Sequence, residues 1–146
     1  MKCMLIVVVA ALIAVGGCRI TKVCNSDGGM EIAQSENAAA EIRSSDVCFS
    51  DGLSVEKTTL VRNKLGFLTS TVTVRNRHGD PEDNGREDPF SFRYRFMWLN
   101  ANGAEVLPGD SIWRVMKLGG GASERISDTA PSKEAVSYVL RFGHSR

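Results

Sequence analysis

Residues 89–100 read PFSFRYRFMWLN, and the alternation inside them decides the fold. Phe90, Phe92, Tyr94, Phe96 and Trp98 take turns with Ser91, Arg93, Arg95, Met97 and Leu99. In an extended strand successive side chains point to opposite faces, so the rings form one row and the guanidinium groups another. Wound as a helix, the same residues would spread around the cylinder and carry arginine into the buried face. The stretch therefore reads as a central β-strand whose aromatic row builds a core, with Arg93 and Arg95 toward water.

The neighbouring segments share this period. Residues 100–103 (NANG) supply turn positions tolerant of positive φ, and residues 104–106 are expected to begin the partner of a hairpin. Upstream, residues 67–76 set Leu68, Ser70, Val72 and Val74 against a threonine row, the composition of a half-exposed strand. Downstream, residues 112–118 form a further strand, Gly119, Gly120 and Gly121 turn the chain, residues 123–128 are a shorter strand and residues 135–142 close the sheet. With a strand near residues 54–60, about seven short strands fall within ~100 residues, the arithmetic of an all-β, immunoglobulin-like antiparallel sandwich. The domain is expected to occupy residues 47–146.

The N-terminus obeys a different logic. From Met4 to Gly17 every residue is apolar or glycine, behind a single basic residue, Lys2. That run is too short for the ~20 residues of a membrane-crossing helix and matches the apolar region of a signal peptide over residues 1–17. Val15, Gly16, Gly17 and Cys18 follow in the order of a bacterial lipobox, which makes Cys18 the expected lipidation site and new N-terminus. The expected address is the bacterial cell envelope, lipid-anchored in a membrane. By resemblance to Gram-negative lipoproteins, Arg19 in place of aspartate points to the outer membrane, facing the periplasm. Residues 18–46, rich in Ser, Asn, Asp, Gly and Ala, read as a flexible polar tether, with at most a helical turn or two within residues 35–43.

Four cysteines occur, at 3, 18, 24 and 48. Processing would remove Cys3 and acylate Cys18, leaving Cys24 and Cys48 in an oxidising compartment. They either pair, closing a loop that would contribute roughly 3–4 kcal/mol in the chain-entropy picture, or stay as free thiols.

The residues from Tyr94 to Val106, together with residues 72–76 and 138–142, resemble the YcfL-type periplasmic lipoproteins, a family of unknown function. The shared features are a lipobox, a polar spacer and a Tyr-Arg-Phe-x-Trp strand entering a turn that ends in glycine. The resemblance implies an immunoglobulin-like sandwich and an envelope address, and it implies no activity. This chain departs from the family pattern by carrying residues 78–89 (HGDPEDNGREDP) before the aromatic strand.

Composition narrows the chemistry. Eighteen Lys and Arg against 17 Asp and Glu leave a net charge of +1, which argues against nucleic acid as a partner. The acidic loop offers Asp80, Glu82 and Asp83 to Ca²⁺, but its spacing lacks the bidentate glutamate of an EF-hand and two prolines interrupt it. No CxxC occurs, and His78 and His144 stand in unrelated contexts, so no metal site and no cofactor are expected. Neither GxSxG nor a paired Cys and His is present, and the glycine run lacks the lysine of a phosphate loop. The chain is expected not to be an enzyme. Trp98 belongs to the core row, and Trp113 is assigned to the core in preference to a sugar platform. Two functions stay open: an anchored interaction module that binds another envelope protein, and a small ligand-binding module for glycan or Ca²⁺ using Asp80, Glu82, Asp83 or Trp113.

Overall fold

The computed structural model describes residues 28–78 and 88–145. Among the described residues, eight strands and one short α-helix follow in order: β1 (Gly29–Ser35), β2 (Glu41–Ser44), α1 (Val47–Gly52), β3 (Leu53–Arg62), β4 (Leu68–Asn76), β5 (Phe90–Leu99), β6 (Arg114–Leu118), β7 (Ser123–Thr129) and β8 (Ser137–His144). One antiparallel sheet has the order β2-β1-β8-β5-β6, and a second has the order β3-β4-β7. The two sheets make the sandwich expected from the alternation.

The aromatic row of β5 faces inward as its parity requires. Phe92, Phe96 and Trp98 are buried, with Tyr94 at the margin, and their rings interlock with Tyr138 and Phe142 of β8 at centroid separations of 5.5–5.6 Å. Centroids at this spacing and tilt favour edge-on contact of the ring quadrupoles, beyond the gain from area buried. Opposite them, Leu68, Val72 and Val74 of β4 and Ile126 of β7 close the core. On the outer face of the second sheet, the threonine row forms a hydroxyl ladder, Thr69 to Thr129 at 3.0 Å and Thr71 to Ser127 at 2.8 Å.

Polar ties lock the sheets to each other. The Trp98 indole N–H donates to Asp128 of β7 at 2.9 Å. Asn76, fully buried at the end of β4, donates through Nδ2 to the carbonyls of Asp88 (3.0 Å) and Leu118 (2.9 Å) and accepts from the His78 amide at 2.9 Å. At the other end Arg62 forks onto Glu36 at 2.6 and 2.7 Å and donates to the carbonyls of Gly66, Lys133 and Ala135. One guanidinium thereby gathers three connections, and its hydrogen bonds hold the Glu36 carboxyl below the usual carboxylate range.

Several expectations are corrected. Residues 29–44 are not tether: β1 lies between β2 and β8, pairs with β8 along its whole length, and buries Met30 and Ile32. The alternation there is masked by small and polar residues at intervening positions. Gly29 belongs to this pairing, since a Cβ on it would lie 2.0 Å from the Phe142 carbonyl oxygen. Residues 35–43 make a turn and then β2, not a helix. The helix falls instead at α1, where the Asp46 carboxylate caps the Cys48 amide at 2.9 Å and contacts His144 Nε2. The hairpin expected at residues 104–106 is only a bridge between Leu99 and Glu105. Leu107 turns into the left-handed region at φ 50°, and Pro108, which has no N–H to donate, opens a 3₁₀ turn, so the ladder stops and β6 becomes the neighbour of β5.

Two consequences are measurable. Asn76→Ala leaves two carbonyls and one amide without their buried partner, and a loss of about 1–3 kcal/mol is expected in urea unfolding, with the fold retained. Burial pushes the Tyr138 phenol above its ordinary value of 10.0. The neutral phenol is then favoured in the folded chain, so its contribution is full below pH 10 and is lost as pH climbs through the folded pKa. Stability measured against pH should fall on the alkaline side, and Tyr138→Phe should remove that portion of the fall.

Candidate functional site

On the reverse side of the aromatic row, the outer face of the five-stranded sheet carries Arg93 and Arg95 from β5 and Arg141 from β8. Register sets Arg95 directly opposite Arg141 and Arg93 opposite Gly143. Like charges facing each other across a ladder repel, so the arrangement needs compensation. Arg141 has it: its Nε lies 2.6 Å from Glu31 of β1. Arg93 and Arg95 have no carboxylate within ion-pair distance among the described residues. Their guanidinium carbons lie instead 4.6 and 4.9 Å from the centre of the Trp113 ring. A ring face carries negative quadrupole charge, which offers partial compensation to both cations.

Gly143 makes room for this packing. A Cβ at that position would lie 3.2 Å from Arg93 Nε and 3.8 Å from the Trp113 ring. Between the arginines, the Trp113 ring and the start of β1 runs a cavity of about 300 Å³, bordered also by Gly28, Ser45 and His144. Three arginines against one glutamate give its lining an excess of two positive charges.

Trp113 therefore departs from its expected place in the core. It precedes β6 and remains 36% exposed, with its flanks, Ile112 and Val115, exposed further. Residue type suggested burial, but the position before an edge strand leaves no core for the ring to enter. Trp98, by contrast, is 3% exposed on the core row. Cys48 is disulfide-bonded, and its partner lies outside the described residues. Cys18, Cys24, Asp80, Glu82 and Asp83 also fall outside them. Among the described residues, no three His, Cys, Asp or Glu side chains gather as metal ligands, and no helix is long and apolar enough to cross a membrane.

Arg141, Glu31 and Gly143 were not singled out in the sequence, because their part depends on which strands are neighbours. Arg93 and Arg95 were placed on the outer face, and the charge at alternate positions of an aromatic strand was the available signal.

The sandwich fold is shared with solved structures. A DUF1425 family member from Shewanella sp. is similar with a TM-score of 0.53 at 19% identity, over 85% of this chain and 95% of that one. Campylobacter jejuni Cj0090 is similar with a TM-score of 0.51 at 15% identity, over 62% of this chain and 85% of that one. At these identities the likeness is one of fold alone. The family described as protein of unknown function (DUF1425) matches residues 38–142, and the chain belongs to that family. No curated protein matches.

If the indole ring is what holds the two cations to the sheet, Trp113→Ala should cost about 1–2 kcal/mol in denaturant unfolding, from two cation–π contacts. The Arg93 and Arg95 Nε–H resonances should also lose their ring-current shifts while the Trp98 indole signal stays in place.

Proposed function

We propose that this chain is a YcfL-type envelope lipoprotein, anchored through Cys18, whose sandwich is a non-catalytic binding module that engages another envelope protein through the outer face of its five-stranded sheet. The observation that carries the reading is the patch of Arg93, Arg95 and Trp113: cations with no carboxylate partner among the described residues, beside exposed Ile112 and Val115. Arginine and tryptophan are the side chains most enriched where interfaces concentrate their energy. The lipobox and the apolar run before it support the anchor, as two or more acyl chains at ~0.8 kcal/mol per buried methylene give stable attachment.

The corrected start of the fold bears on geometry. Ten residues separate Cys18 from Gly29, a span of at most about 40 Å when fully extended. The disulfide at Cys48 favours Cys24 as partner, because Cys18 is taken by lipid and Cys3 by processing. That pairing would shorten the leash to the stretch between Cys18 and Cys24, about 20 Å. The domain then works close to the membrane surface. A ligand-binding reading for glycan has one observation in its favour, the exposed Trp113, although two guanidinium groups already lie against that ring.

The anchor is checked by palmitate labelling, expected in the wild type, abolished in Cys18→Ser and accompanied by a larger precursor under globomycin. For the surface, a photo-crosslinking residue at position 115 should capture a discrete envelope protein in intact cells, and one at position 61, on the opposite sheet, should not. Arg95→Glu should abolish capture from position 115. Equal capture from both positions, or capture unaffected by the charge reversal, would remove the outer face from consideration.

A further inference from the structure

The chemistry of this face defines a ligand group. We propose that Arg93, Arg95 and Arg141, with Trp113 as a wall, form a binding site for an oxyanion, a carboxylate or phosphate group presented by whatever occupies the cavity. The inference rests on the reading of this face as a binding surface and adds the chemical class that it takes.

Several of the other described arginines are paired with acids, although Arg125 is not. Arg43, Arg62, Arg75, Arg114 and Arg141 lie between 2.6 and 3.9 Å from Glu41, Glu36, Glu56, Asp128 and Glu31. Arg93 and Arg95 lack such a partner among the described residues, and the Nε of each is buried without a hydrogen-bond acceptor, as is that of Arg141 and of Arg75. An aromatic face satisfies charge in part but accepts no N–H···O hydrogen bond. The excess positive charge and the forked guanidinium groups lining the cavity suit an acceptor with negative charge and more than one oxygen.

The surroundings support occupancy over a solvated surface. Gly143 leaves the floor bare where any side chain would crowd Arg93, and the cavity of about 300 Å³ exceeds the volume of one carboxylate or phosphate group, so the rest of a ligand fits beside it. Glu31 occupies Arg141 on one flank only. The excess of two positive charges lies toward Arg93 and Arg95, where the wall is the Trp113 ring. Mutual repulsion of Arg95 and Arg141 falls when an anion enters, so binding and sheet stability are linked.

The test titrates the purified full-length protein, in nonionic detergent, with inorganic phosphate and separately with succinate, against sodium chloride at matched ionic strength. The readout is the Nε–H resonances of Arg93 and Arg95 and the indole resonance of Trp113. Saturable shifts with one or both anions, absent with chloride, support the site, and which anion saturates distinguishes a phosphate source from a carboxylate source. Arg95→Gln should weaken binding at least tenfold, Arg95→Lys should weaken it less, and Gly143→Val should abolish it with all charges kept. The Trp98 indole signal reports that each variant is folded. Shifts that track chloride, or that are unchanged in both Arg95→Gln and Gly143→Val, overturn the oxyanion site. If that occurs while Arg95→Glu still abolishes capture from position 115, the binding face stands and only its ligand class fails.

Discussion

The pairing of β5 with β8 is the constraint on which the molecule depends. Its register runs from Phe92 opposite His144 to Leu99 opposite Ser137. Side chains alternate with a period of two, so this one register determines both faces of the sheet together. Inward it brings Phe92, Phe96 and Trp98 against Phe142 and Tyr138. Outward it places Arg93 over Gly143 and Arg95 beside Arg141. A slip of one residue would turn the rings to water and bury the guanidinium groups, which could not find carboxylates in an apolar interior. Core and cationic face are two sides of a single ribbon.

The remaining devices hold this ribbon against its partner sheet. Asn76 satisfies backbone groups from two connections at one end, Arg62 does so at the other, and the Trp98 indole reaches Asp128 in between. The α1 helix closes the end near the start of β1, where Phe49 packs edge-on to Phe90 at 5.4 Å and Asp46 contacts His144. That same end borders the cavity, since Gly28, Ser45 and His144 line it with the arginines. Gly28, the first described residue, therefore lies beside the proposed binding face.

How far the residues could be read varied with the kind of signal. Strands β4, β5 and β8 were legible because each alternates large and polar side chains strongly enough to exclude a helix, whereas β7, in which only Ile126 is buried, was expected only as a shorter strand. Strand β1 was not, because in GMEIAQS only Met30 and Ile32 announce the buried row and the glycine and alanine beside them resemble a linker. The site was half legible. Arg93 and Arg95 stood out on an aromatic strand, but the companions that complete the cavity come from β1, β8 and the segment before β6.

What the sequence by itself determined is parity: a chain of alternating rings and guanidinium groups can satisfy hydrophobic burial and charge solvation together only as an extended strand with two unlike faces. What the tertiary structure alone decided is adjacency. Nothing local tells Arg95 that it will face Arg141, tells Glu31 that it will neutralise only one of them, or tells Trp113 that it will lie on two cations outside the core. Those contacts join residues far apart in the chain, and they exist because strand order, set by the packing of the whole sandwich, brings them within reach.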